Sequence, residues 1–374
     1  MKRSTSPHRH RGWPTQAPRR SGLLRALLGA SAAGVVATAI GGGCGAPFDE
    51  PSDVSELRIL AVVADKPYAA PGDEVKLDMT YHDGLGASDP DAGERPVQIT
   101  WIGGCFNPTG DQYFGCFESL RKAFEGVTGP DDLPEGLFGF GPSFTLKLPA
   151  DLVSSRPVPD TGPQYGMAIV FFAACAGQLR PLTGDEGTGR AGSFPLGCFD
   201  TATGKRLDSD SFVPGYTQIY AFADGRTNAN PPVAAITMDG TTLAENPDKD
   251  PEVPPCKLTD EERRAQGCDA KKPEDECKTF VFDVAMKPGF AETDPDAALQ
   301  DGKKLTEAVW VDYFADGGDF DSSIKLVNDP QAGEIDDHSS RWVPPAEPGR
   351  VNLWAVVHDA RGGTTVVERS ILVK

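Results

Sequence analysis

The sequence predicts an all-β protein: two tandem β-sandwiches with loop insertions and short helices, behind an export leader. Three observations predict this. Apolar and polar residues alternate with a period of two in segment after segment, the mark of strands with one buried face. Glycine (42) and proline (33) are frequent enough in 374 residues to end many short strands in turns. A basic N-terminus runs into a short apolar stretch that stops at a cysteine.

The leader comes first in the chain. Lys2, Arg3, Arg9, Arg11, Arg19, Arg20 and Arg25 make a basic region, and small apolar residues follow from Ala26 to Ile40. That stretch is shorter than the ~20 apolar residues a spanning helix needs, and it fits the apolar region of a signal peptide. It ends Ala39-Ile40-Gly41-Gly42-Gly43-Cys44. The junction resembles that of bacterial lipoproteins, in which a small residue precedes a cysteine that is lipidated and becomes the mature N-terminus. Gly43 and Cys44 match that pattern. Gly41 stands where Leu is usual, and Ile40 supplies an apolar residue one place early. The resemblance implies a signal peptide over 1–43 and an acylated Cys44. Because Gly45 rather than Asp follows, it also implies the outer membrane or periplasm of a Gram-negative envelope. Arg19-Arg20 before Leu23-Leu24 is only a faint likeness to a twin-arginine signal, since Pro18 and Gly22 fit it poorly. Residues 44–55, with Gly, Pro, Asp and Ser, read as a tether.

The first sandwich is expected over 56–228. Leu57 to Val63 is its first strand, and Val75, Leu77, Met79 and Tyr81 alternate with polar residues in the next. Val97, Ile99 and Trp101 alternate again, as do Phe144, Leu146 and Leu148. Gly166 to Ala174 is apolar on both faces, as a central strand is, and Thr217 to Ala223 closes the set. Residues 107–140 interrupt the pattern with a short helix from Phe117 to Glu125 and a Gly/Pro-rich return, and so read as an insertion.

The second sandwich is expected over 229–374, after Asn230-Pro231-Pro232. Val233 to Met238, Phe280 to Met286 and Val309 to Tyr313 are its strands, and Val351 to Val357 turns through Asp359–Gly363 into Val367–Val373. This last hairpin resembles the end of bacterial immunoglobulin-like and polycystic-kidney-type modules. Trp101 on a third strand resembles the immunoglobulin-like fold in the same way, although an antibody-type inter-sheet cysteine pair is absent. A weak internal repeat sets Ile99-Thr100-Trp101 with Gly103-Gly104 beside Val311-Asp312-Tyr313 with Gly317-Gly318.

Export makes disulfides the default for the cysteines after Cys44, which are Cys105, Cys116, Cys175, Cys198, Cys256, Cys268 and Cys277. The resemblance to an immunoglobulin-like sandwich implies that the strands ending in Cys105 and Cys175 are antiparallel neighbours, which would put these two cysteines at opposite ends of a sheet. The local pairs 105–116 and 175–198 are therefore expected. Cys256, Cys268 and Cys277 frame a mini-helix with a Thr259/Glu262 capping box and a stop at Gly267. Cys256–Cys277 and Cys256–Cys268 both stay open. No C-x-x-C motif occurs and no histidine lies near these cysteines, so zinc is not expected.

Charge and motifs narrow the function. Residues 1–43 carry seven of the 36 basic residues and none of the 55 acidic ones, so 29 face 55 in the remainder, a charge of −26. Such a surface repels nucleic acid and anionic headgroups, leaving the lipid anchor as the expected membrane contact. Gly187-Thr188-Gly189-Arg190-Ala191-Gly192 fits a dinucleotide motif as text, but loop residues flank it on both sides. His82, His338 and His358 each adjoin an aspartate (Asp83, Asp337, Asp359), yet neighbours on a strand point to opposite faces. No mature G-x-S-x-G occurs. The acids Asp89, Asp91 and Glu94, and the turn acids Asp316, Asp319 and Asp321, are weak calcium candidates. Neither group follows the EF-hand order, and calcium needs six to eight oxygens, so solvated turn acids are expected.

The expected function is that of a non-enzymatic envelope protein with no cofactor, displaying its modules to a protein or glycan ligand or serving envelope structure. The insertion 107–140 and the loop 176–215 are the expected recognition segments. The alternative is a secreted hydrolase or enzyme accessory subunit using acidic loop residues. Carboxylates converging in one pocket would favour the alternative, and carboxylates dispersed over the surface would favour the first reading.

Overall fold

The computed structural model describes residues 51–88, 95–123, 135–182, 196–264, 273–298 and 302–374. The leader, Cys44, the acids 89–94, the glycine motif 187–192, Gly267 and Cys268 lie outside the described residues.

The alternating segments form strands that pair into two sandwiches. In the first, β1 (Leu57–Ala64), β3 (Glu74–Asp83) and β6 (Ser143–Lys147) make one antiparallel sheet in the order β1-β3-β6. The facing sheet runs β2-β10-β7-β4-β5, from β2 (Tyr68–Ala69), β10 (Phe212–Phe222), β7 (Tyr165–Cys175), β4 (Gln98–Phe106) and β5 (Phe138–Phe140). Alternate residues of both sheets enclose the core, including Val75, Leu77, Leu146, Trp101, Val170, Phe172 and Ile219. The Trp101 indole donates to the Gly141 carbonyl at 2.8 Å, so burial leaves no orphaned donor there. A hairpin of β8 (Gln178–Pro181) and β9 (Leu196–Phe199) extends from β7, and α1 (Gly84–Ser88) follows β3.

The second sandwich has β11 (Val233–Met238), β14 (Phe280–Met286) and β21 (Ser340–Val343) in one sheet, flanked by β12 (Thr241–Thr242) and β18 (Asp319–Phe320). Its other sheet runs β13 (Glu252–Val253), β23 (Thr364–Val373), β22 (Gly349–Asp359), β17 (Val309–Ala315), β19 (Ile324–Asp329) and β20 (Gly333–Glu334). A small hairpin of β15 (Thr293–Ala298) and β16 (Lys304–Thr306) lies beside it.

The two sandwiches share one plan. The order β1-β3-β6 corresponds to β11-β14-β21, and β10-β7-β4 corresponds to β23-β22-β17. In each, a two-residue strand from the first connection pairs parallel with the last strand: β2 on β10, and β13 on β23. This is the Greek-key order of an immunoglobulin-like sandwich. The glycine pairs of the internal repeat also behave alike. Gly104 (φ +88°) and Gly318 (φ +78°) both take left-handed backbone, and a Cβ on Gly318 would meet the Val343 oxygen at 2.2 Å.

The described residues from 51 to 374 belong to one compact unit. Leu60 and Ala61 on the outer face of β1 pack on Trp354 and Val356 of β22. The segment expected to be free tether is held from Ser52 onward: Val54 N donates to Ala315 O, and Ala315 N donates to Ser52 O, both at 2.9 Å. Ser52, Asp53 and Val54 are buried. The connection between the sandwiches is tied on both sides, because Asn230 Nδ2 donates to Ala64 O while Asn230 Oδ1 accepts from Thr364 N. Arg361, itself buried, donates to Glu307 at 2.6 Å, to Glu292 at 2.5 Å and to the Thr227 carbonyl. Burial pushes the Glu307 carboxyl above its usual range, with Arg361 opposing that shift.

Candidate functional site

Cys105 bonds Cys116, Cys175 bonds Cys198, and Cys256 bonds Cys277. Cys175 lies opposite Gln98, and Cys105 lies opposite Ile169, so Cys105 and Cys175 do occupy opposite ends of the β4–β7 ladder. Thr259 and Glu262 form the reciprocal cap of α3 (Asp260–Arg264), at 3.1 and 3.3 Å, and α4 (Pro273–Glu276) precedes Cys277. Three disulfides belong to an oxidising, exported environment. No helix among the described residues is long and apolar enough to cross a membrane.

The first disulfide builds a surface. The strand β7 is apolar on both faces, and its outer side chains Met167, Ile169 and Phe171 need cover. The insertion provides it: α2 (Phe117–Ala123) and the two 3-10 turns before it lie over this face, with Cys116 and Leu120 packed against Ile102 and Phe171. Two non-glycine residues with left-handed backbone shape the entry, Asn107 (φ 47°) and Asp111 (φ 56°). Asn107 donates to Leu152 O at 2.7 Å and accepts from Met167 N at 2.9 Å. Asp111 accepts from the Tyr165 hydroxyl and from Arg156. The hydrogen bond to the Asp111 carboxylate, with burial, raises the Tyr165 pKa.

The cover is incomplete and leaves aromatic side chains in solvent. Tyr113, Phe114, Phe117 and Tyr216 are 41, 57, 36 and 43% exposed. Tyr216 lies directly opposite Phe171 in the β10–β7 ladder. Tyr113 stacks on Tyr216 at 5.0 Å between ring centroids and meets Phe114 at 5.8 Å and Phe117 at 6.0 Å, while Phe117 meets Phe171 at 6.3 Å. Further along the same strands, Tyr220, Tyr165 and Phe222 continue the row. Two charge pairs lie nearby: Arg156 holds Asp111, and Lys122 holds Glu118 at 2.9 Å.

The sequence candidates distribute differently. His82 faces Asp316 at 3.2 Å, His338 faces Asp283 at 2.6 Å, and His358 faces Asp312 at 3.2 Å, none of them its neighbour in sequence. The adjacent aspartates work elsewhere. Asp83 holds Arg95, Asp337 accepts from Ser339, and Asp359 accepts from the Arg361 and Gly363 amides. The turn acids are also separately engaged. Asp316 accepts from Asn352, Asp319 from Arg263 and Arg264, and Asp321 from Ser340 and Arg341. Among the described residues, no group of three or more ligand-type side chains converges on a metal-sized site. A cleft of about 510 Å³ opens beside the connection, lined by Tyr68, Phe222 and Arg226. Its rings are already covered, Tyr68 by Arg361 and Phe222 by Arg226.

Of the two expected recognition segments, the insertion 107–140 carries Tyr113, Phe114 and Phe117. Tyr216 lies outside the strand expected from Thr217 to Ala223, because β10 begins earlier, at Phe212, and carries Tyr216, Gln218 and Tyr220 on one outward face.

No family model matches the chain, and no curated protein matches it. Among solved structures, the D00–D0 domain of intimin is similar at 10% identity over 85% of this chain and 98% of that one, with a TM-score of 0.20. The fibronectin(III)-like modules of Clostridium thermocellum CbhA are similar at 11% identity over 85% and 94%, with a TM-score of 0.18. The chicken CNTN1 FN1–FN3 domains are similar at 9% identity over 87% and 68%, with a TM-score of 0.19. At these scores the likenesses add nothing to the strand order, which by itself gives the fold.

Proposed function

We propose that this is a lipid-anchored cell-envelope protein, acylated at Cys44, which holds two immunoglobulin-like sandwiches in a binding role and does no catalysis. The contact surface is the group Tyr113, Phe114, Phe117 and Tyr216. The observation that carries this reading is the exposure of four large aromatic side chains together on backbone braced by the Cys105–Cys116 bond. Exposed contiguous apolar surface on a soluble fold marks interaction sites, and tyrosine is enriched among the residues that dominate binding energy. The alternative, a hydrolase using acidic loops, needs converging carboxylates. The turn acids instead bind separate partners, which supports the binding role.

Two measurements test the reading together. Metabolic labelling with a palmitate analogue should mark the wild type and not Cys44→Ser. A photo-crosslinking residue at position 114 should give a discrete adduct in intact envelopes, lost when Tyr113 and Tyr216 are both changed to Ser. Label retained in Cys44→Ser removes the anchor, and no adduct at 114 removes the binding surface.

A further inference from the structure

Building on that binding role, we infer that the aromatic surface takes a basic polypeptide segment whose arginine guanidiniums stack on its rings. The motive is a pattern within the molecule. On the same sheet face, two further rings of the row each carry a guanidinium of this chain. Arg226 Cζ sits 4.7 Å from the Phe222 ring centroid, and Arg156 Cζ sits 4.5 Å from that of Tyr165. Just beyond, Arg361 Cζ lies 5.6 Å from the Tyr68 ring. The row then reaches Tyr216, Tyr113, Phe114 and Phe117, whose described ring contacts are with one another and with Phe171. These four are the exposed members of the row. A ring face presents negative charge to a cation lying over it, and arginine is the commonest partner.

Charge selects the same partner. The chain beyond residue 43 carries −26, so its field attracts a basic segment and repels an acidic one. Two cations nearby are in use, Lys122 on Glu118 and Arg156 on Asp111, so neither competes for the open rings. Pro214 lies in this part of β10, where β2 pairs only with Tyr220 and Ala221. Its missing N–H disfavours addition of a foreign strand along that edge, which leaves side-chain stacking as the mode of recognition.

The test uses the full-length lipidated protein in detergent at physiological salt. The probes are a short peptide alternating arginine and glycine, a lysine analogue of equal charge, and dextran as a neutral glycan. The arginine peptide should bind more tightly than the lysine peptide. Changing Tyr113 and Tyr216 together to Ser should weaken arginine-peptide binding by about tenfold with net charge unchanged. Tyr216→Trp should preserve or strengthen it, because indole is the better cation–π face. Unchanged melting of these surface variants confirms that the fold is intact. Equal binding of the arginine peptide to wild type and the double variant would overturn the inference, since the attraction would then be diffuse. Dextran binding that depends on the rings, with no ring dependence for the peptide, would overturn the basic partner while leaving the surface a binding site. A crosslink at position 114 that disappears without any probe binding here has the same meaning, whereas no crosslink at all defeats the underlying reading.

Discussion

The two sandwiches have the same strand order and opposite outer faces. In the first, the outer face of β7 and β10 is roofed by a disulfide-braced insertion and ends in exposed aromatics. In the second, the corresponding face of β22 is covered by the first sandwich, with Trp354 and Val356 packed under Leu60 and Ala61. Inward alternation decides the fold in both, and what lies on the outward positions decides the use of each sheet. Both sandwiches carry disulfides, Cys105–Cys116 and Cys175–Cys198 in the first and Cys256–Cys277 in the second, while the junction depends on Arg361 between Glu307 and Glu292.

The comparison can be broken at the junction first. Arg361→Ala leaves Glu307 buried without its partner, and breaking a buried pair costs about 3–5 kcal/mol. Urea unfolding should show that loss, and a loss under about 1 kcal/mol would mean the network is not structural. Trp354→Ala should cost about 3 kcal/mol, the usual scale for removing a buried tryptophan. It should also separate the melting of the two sandwiches, and a single unchanged transition would contradict the packing role of that face. Replacing both Cys105 and Cys116 with Ser should cost about 2.8 kcal/mol in the chain-entropy account. Protease nicking should then appear within the insertion, and full resistance would show that the roof holds without its staple. Thr259→Ala removes one half of the capping box of α3 and should cost about 1 kcal/mol.

The smallest effect depends on pH. The Asp283 carboxylate, 2.6 Å from the ring, raises the His338 pKa above its ordinary value, burial opposes this, and Glu334 and Asp337 add to the rise. A histidine raised on folding contributes stability that is complete below the unfolded value of about 6.5 and is lost as pH rises through the folded value. Unfolding midpoints of the wild type should therefore drop between mildly acidic and alkaline pH by an increment that His338→Gln lacks. Parallel pH curves for the two proteins would remove this pair from the account.

Most of the fold was legible because its strands are half-buried. The alternation at Val75–Tyr81 and Phe280–Met286 marks one wetter and one dry face, and each is a strand here, as is Val351–Val357, whose outer face is covered instead. The short edge pieces β2, β5, β13 and β20 were not legible, since two or three residues cannot show a period. The strands β19 and β21 were missed as well, and β19 presents Ile324 and Leu326 to solvent, which blurs the usual pattern. The local disulfides could be read from strand order, while the choice of Cys277 for Cys256 could not. The aromatic surface was half legible: its insertion stood out by composition, but the stacking of Tyr113 on Tyr216 joins residues far apart in sequence. The buried hold on Ser52–Val54 was also invisible, because a Pro/Ser/Asp stretch reads as tether until its partner strand is known.

Hydroxyl-radical footprinting of the protein, purified and in intact envelopes, tests most directly the claim that one outer face binds while the other packs. In purified protein, Tyr113, Phe114 and Tyr216 should label strongly and Trp354 weakly. In envelopes, labelling of Tyr113, Phe114 and Tyr216 should fall severalfold, while the exposed Ile324 and Val158 stay unchanged. Equal labelling of the three aromatics in both states, or strong labelling of Trp354 in the purified protein, would contradict the account.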